Sequence, residues 1–169
     1  MSLSRFFLAG TWGILFSSCQ EPTQHDRKAE APNLATESVT DRGTAASLTF
    51  EVLNQSGQCV LRTGGKDHAL VPKAPCYFVR APGKETPWSF EYSEVKTAAT
   101  LIVVGSPASE STRKTWNLSP GAVCGEQAQG VLVRGGAVIV TKNVREGGVY
   151  CRDSGMDEKE FYTFAHEEK

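Results

Sequence analysis

The side chains with chemistry to offer in this chain are five cysteines, three histidines and a run of carboxylates near the C-terminus. Such groups can hold a metal, run nucleophilic or acid–base catalysis, or form a covalent framework, and their spacing separates the three. Neither Cys-x-x-Cys nor His-x-x-x-His occurs, and no histidine stands beside a cysteine, so the sequence gives no pattern for a metal or other cofactor. Gly-x-Ser-x-Gly and His-Glu-x-x-His are also missing. His25 lies in a polar stretch, so the alternative to a nonenzymatic role is a small hydrolase of an exported protein's compartment, the periplasm, using His68 or His166 with Asp153 and Ser154 as triad partners. Glu91, Glu94, Asp157, Glu158 and Glu160 could supply a carboxylate pair for glycoside hydrolysis, although solvated charge is their default role.

The fate of the cysteines depends on the first of them. Met1 to Cys19 carries one basic residue, Arg5, then an uncharged run from Phe6 to Phe16, then Ser17-Ser18-Cys19. A membrane-spanning helix needs roughly 20 apolar residues. The run is therefore too short to span, and its flanks are those of a secretory signal over 1–18. Ser17-Ser18-Cys19 resembles the lipobox of bacterial lipoproteins, in which small residues precede a cysteine that is acylated and becomes the mature N-terminus. Phe16 stands where leucine is commoner. With Gln20 rather than aspartate next, the resemblance implies an outer-membrane lipoprotein facing the periplasm. The alternative is an ordinary signal cut near Ser18, giving a soluble periplasmic or secreted protein.

Lipidation of Cys19 leaves an even number, Cys59, Cys76, Cys124 and Cys151, in an oxidising compartment. Of three possible connectivities we favour Cys59–Cys76 and Cys124–Cys151, because each pair brackets one turn-containing segment that can fold back on itself. On the chain-entropy model these loops contribute about 3 and about 3.6 kcal/mol.

Residues 20–46 lack aromatic residues and hold only Leu34 and Val39 as larger aliphatics, which reads as a flexible tether spanning about 30 Å. The remainder, 47–169, is one domain. Net charge −1 and pI ≈ 6.3 argue against a nucleic-acid partner. Charge is nonetheless segregated. Arg62, Lys66, Lys73, Arg80 and Lys84 face only Asp67 within 58–84, whereas Asp153, Asp157, Glu158, Glu160, Glu167 and Glu168 outnumber Lys159 and Lys169 at the end.

The elements that must position these groups are strands. Period-two alternation begins at Ser47, and 47–53, 58–63, 68–72 and 76–81 all read as β segments. Trp88, Phe90 and Tyr92 alternate in a half-buried strand, where core aromatics are commoner than a binding platform. Thr100–Val104 suits a strand covered on both faces. Gly105–Pro120 reads as a long loop. Arg134-Gly135-Gly136-Ala137 predicts a tight hairpin setting Val133 against Val138 and Val131 against Val140. The turn at Glu146-Gly147-Gly148 suggests that Cys124–Cys151 closes a three-stranded meander, and Phe161-Tyr162-Thr163-Phe164 favours a last strand over 157–166. The expected fold is mainly β: one antiparallel sandwich or small barrel of about eight strands.

In size, export and cysteine content the chain resembles the small disulfide-bonded β lipoproteins that inhibit lysozymes or confer immunity to secreted toxins. Ser154-Gly155 is similar to the Ser-Gly of lysozyme-inhibitor loops, but Glu158 stands where those loops carry tyrosine. The resemblance implies a nonenzymatic protein-binding module held by a lipid anchor, with Asp157, Glu158 and Glu160 meeting a basic protein partner. Substituting Cys19→Ser is expected to abolish incorporation of radiolabelled palmitate and to release the protein from the membrane fraction. Retained label would place the anchor elsewhere.

Overall fold

A computed structural model describes residues 36–167. The signal, Cys19 and tether residues 20–35 lie outside the described residues. The fold is built from two antiparallel sheets, neither closed into a barrel, and one packed helix.

The first sheet is a four-strand meander, β1 (Glu37–Ala45), β2 (Leu48–Gln55), β3 (Gln58–Thr63) and β4 (Lys66–Lys73), in that spatial order. Two-residue turns join the strands at Ala46-Ser47, Ser56-Gly57 and Gly64-Gly65, and every one of these six residues has positive φ. That is the type I′ geometry whose twist matches the flanking strands. β1 corrects the expected boundary, because 37–45 pairs with β2 along its length instead of belonging to the tether. Its inward positions include Thr40 and Asp41, with Ala45 as its only buried apolar side chain, and its turn carries alanine and serine where glycine would have marked it.

The second sheet holds β5 (Tyr77–Phe78), β6 (Phe90–Tyr92), β7 (Thr97–Pro107), β8 (Cys124–Arg134), β9 (Ala137–Arg145) and β10 (Tyr150–Cys151). β7 and β8 form its centre, and the predicted pairs Val133–Val138 and Val131–Val140 are both present in the β8–β9 hairpin. β5 and β6 share the far edge of β7, while β9 and β10 share the far edge of β8. Each outer row is thus one strand interrupted by an excursion, so ten segments make eight rows. The expected three-stranded meander is corrected on the same ground: after Gly147-Gly148 the chain returns to the edge of β8 it had just left.

Side-chain alternation along β7 explains the layering. Ala99, Leu101 and Val103 face the first sheet and pack in one cluster with its Phe50, Val52 and Leu61 and with Phe78 of β5. Ile102 and Val104 point the other way, toward a C-terminal helix, α2 (Glu158–Glu167). Residues 157–166 are therefore helical, which corrects the strand expectation. Phe161, Phe164 and Ala165 follow the i, i+3, i+4 spacing of one helical face and are fully buried. Gly130 makes room for this packing, since a Cβ there would sit 2.8 Å from Phe164. Trp88 and Phe90 lie 5.9 and 4.8 Å from Phe161 in ring-to-ring contact, so these aromatics are core beneath α2.

Three covalent or ionic links brace the fold, two of them between the sheets and one within the second sheet. Cys59–Cys76 joins β3 to the residue preceding β5, and Cys124–Cys151 joins facing positions of β8 and β10 with 4.0 Å between Cα atoms. The third is an ion pair. A β-bulge at Thr40 turns both Thr40 and Asp41 toward the second sheet. The Thr40 hydroxyl donates to the Cys76 carbonyl at 2.7 Å. Asp41 accepts from Arg80 through both oxygens, at 2.9 and 2.5 Å, and from the Phe78 N–H at 2.8 Å. Both side chains are about nine-tenths buried.

Removing one partner of such a pair strands a buried charge, at a cost of about 3–5 kcal/mol. Asp41→Ala is expected to lose that much in chemical denaturation, whereas the double variant Asp41→Leu, Arg80→Met should recover most of it. A single-variant loss under about 1 kcal/mol, the scale of an exposed pair, would contradict the assignment.

Candidate binding surfaces

The sequence-predicted groups are dispersed. His68 is half-buried on β4 and lines a shallow groove of about 320 Å³ with Leu48, Thr63, Lys66 and Val138. His166 is on α2, beyond the second sheet. Among the described residues no hydrogen bond joins either histidine to a serine, threonine or cysteine, and Asp153 is paired with Arg152 at 2.7 Å instead. No group of three or more His, Cys, Asp or Glu among them is placed to hold a metal. Among the described residues no ion pair joins the two charge clusters: Arg62 takes Glu37 and Asp67, Arg80 takes Asp41, and Arg145, outside both clusters, takes Glu160 and Glu167.

Of the three acidic candidates, two form no ion pair with any of the described residues. Glu160 is held by Arg145 at 3.2 Å, a contact that straps β9 to α2 together with the Arg145–Glu167 pair at 2.8 Å. Asp157 and Glu158 stay exposed at the start of the helix, where Asp157 accepts from the Lys159 N–H at 3.0 Å. Negative charge there complements the helix dipole.

Glu158 lies one turn before Tyr162, which is 48% exposed, and Tyr162 lies one turn before His166. The Tyr162 and His166 rings stack at 3.7 Å, and Tyr92 meets Tyr162 edge-on at 5.6 Å. His166 Nδ1–H donates to the Tyr162 carbonyl at 2.7 Å, and its Nε2 lies 3.3 Å from Glu94 Oε1, out of line for a hydrogen bond. Burial, with Glu158 and Glu94 nearby, pushes the Tyr92 phenol up to about 12. The result is an exposed tyrosine locked from behind, with Glu94 and Glu158 nearby.

A second surface lies where the sequence predicts only a loop. Ser109 caps a short helix, α1 (Glu110–Thr115), by accepting from the Thr112 N–H at 3.2 Å. Asn117, with φ of 48°, ends it: the Leu118 N–H reaches the Arg113 carbonyl and the Asn117 N–H the Lys114 carbonyl. These are the two bonds of a Schellman motif, which fixes the backbone of Trp116 between them. The Arg113 guanidinium donates to the Ser119, Pro120 and Ala122 carbonyls, closing the rest of the loop. Trp116 is 55% exposed on this rigid mount, beside a cleft of about 550 Å³. Ser109 followed by Glu110 and Thr112, with Asn117 after the last turn, is the signal that could have revealed the helix.

The cleft floor is a directed chain of hydrogen bonds. The Lys73 N–H donates to Ser106 Oγ at 3.0 Å, Ser106 donates to Gln127 Oε1 at 2.5 Å, and Gln127 Nε2 donates to Glu146 Oε1 at 2.6 Å. Glu126 accepts from the Thr112 hydroxyl at 2.6 Å and from the Ser109 N–H at 2.9 Å, and these bonds hold its carboxyl below the ordinary value.

Fold and surfaces together define a disulfide-bonded, two-sheet β domain with a helix over one sheet and two rigid aromatic-bearing surfaces. Comparison with protein-family models, curated proteins and solved structures finds no match to this chain.

Because the Glu126 carboxyl is lowered, the stability it contributes is present above its unfolded value of about 4.5 and is lost as pH falls through the lower folded value. Thr112→Val should move the Glu126 carboxyl titration, followed by NMR, upward toward 4.5. An unchanged midpoint would remove the hydroxyl as the main cause.

Proposed function

We propose that this chain is an envelope-anchored lipoprotein, held through Cys19, acting as a nonenzymatic protein-binding module of the inhibitor or immunity type directed at a secreted enzyme. The observation that carries this reading is Tyr162, exposed yet fixed by stacking on His166 and by the edge of Tyr92. Tyrosine is over-represented among the few residues that dominate binding energy, and an immobilised ring loses little entropy on association. Glu94 and Glu158 nearby, and Asp157 exposed at the helix start, favour a basic partner surface. Two further features support the reading. Disulfides such as Cys59–Cys76 and Cys124–Cys151 persist in oxidising compartments outside the cytoplasm, and no helix among the described residues is long and apolar enough to cross a membrane.

Affinity capture from envelope and secreted fractions, compared between wild type and variants, tests this. Tyr162→Ala is expected to weaken the captured complex by about 2 kcal/mol, roughly thirtyfold. Reversing Asp157 and Glu158 to lysine should slow association and flatten its salt dependence, and will also lower the unfolding temperature somewhat, because Asp157 accepts the Lys159 N–H at the start of the helix. Capture that is identical in wild type and both variants would sink the proposal.

A further inference from the structure

The cleft beside Trp116 has a set of polar atoms that the fold itself does not use. Glu126 and Glu146 are each anchored through Oε1, and no described residue bonds their second oxygens. The Lys73 ammonium and the Trp116 indole N–H also lack a bond to any described residue. One exposed aromatic face, two oriented acceptors and two donors therefore border one volume of about 550 Å³, within the range of small-molecule sites.

Charge narrows the ligand class. An anion would face two carboxylates, and a cation would face Lys73. A neutral ligand whose groups each donate and accept leaves neither sign unmet, and hydroxyls do both. The indole adds a geometric demand, because its negative π-face favours positively polarised C–H groups presented in a plane. A pyranose ring meets both demands, with axial C–H bonds on one face and hydroxyls around its rim.

We propose that the cleft formed by Lys73, Ser106, Trp116, Glu126, Gln127 and Glu146 binds a saccharide, with a sugar ring stacked on Trp116. The hydrogen-bonded floor from Lys73 to Glu146 orients the acceptors before the ligand arrives, which lowers the cost of ordering them. This site is separate from the Tyr162 surface on α2, so either can fail without the other.

The test titrates the full, detergent-solubilised chain with chitotetraose, cellotetraose and maltotetraose while following the indole N–H resonance of Trp116. At least one oligosaccharide is expected to shift that resonance saturably. Trp116→Ala, which removes only an exposed ring and whose binding is followed by titration calorimetry because the reporting indole is gone, should weaken affinity about tenfold or more. Glu146→Gln should weaken it as well and keeps the test open if the first variant folds poorly. The proposal is overturned if none of the three shifts the resonance at millimolar concentration, if binding survives both variants, or if a trilysine peptide shifts the indole and the sugars do not.

Discussion

A carboxylate and a guanidinium removed from water together are tolerated only when geometry satisfies both, and the Asp41–Arg80 pair meets that condition. Arg80 spends its donors on Asp41 and on the Phe78 and Glu85 carbonyls, and Asp41 accepts from Arg80, Phe78 N–H and Arg42 N–H. The pair sits where the β1 edge of one sheet meets the β5 edge of the other. Hydrophobic contact alone would leave the two sheets free to slide, since it is nondirectional. The bidentate pair fixes their relative position, and Cys59–Cys76 fixes it again a short distance away. The row of β5 and β6, the cover of α2 over Phe90 and the locked stack behind Tyr162 all build outward from that junction.

What could be read from the sequence follows from how local its cause was. Glycine pairs marked the turns at 64–65 and 135–136, alternation marked β2 and β3, and the unbroken apolar run of β7 told correctly of two covered faces. The two disulfides were also legible, because each joins segments that one or two turns bring back together. β1 was not, since its inward residues include the polar Thr40 and Asp41, whose partners across the sheets, Cys76 and Arg80, lie 36 and 39 positions away. α2 was misread because Phe161, Tyr162 and Phe164 have β propensity, while the groove in the second sheet, opened by Gly130, accepts them as a helix. Tertiary packing overrode the local preference.

The binding surfaces divide the same way. Charge singled out Asp157, Glu158 and Glu160, but only the fold shows that Arg145 claims Glu160 and leaves the other two exposed. Tyr162 and Trp116 owe their interest to being exposed and immobile at once, a property of neighbours distant in sequence. Trp116 in particular falls within 105–120, which the sequence presents as a long loop. It is held by a cap, a Schellman motif and an arginine clasp, all built from polar residues.

The end of β4 has a further consequence. An edge strand normally offers a row of unpaired N–H groups to any passing chain. Here the Val71 N–H is taken by Gln129 Oε1 at 2.8 Å, the Lys73 N–H by Ser106 Oγ, and Pro72 between them has none. A second polypeptide approaching this stretch finds no donor with which to extend the sheet. Val71, although 55% exposed, therefore sits on an edge that resists strand-by-strand self-assembly, and the domain can keep an apolar surface residue there without inviting fibres.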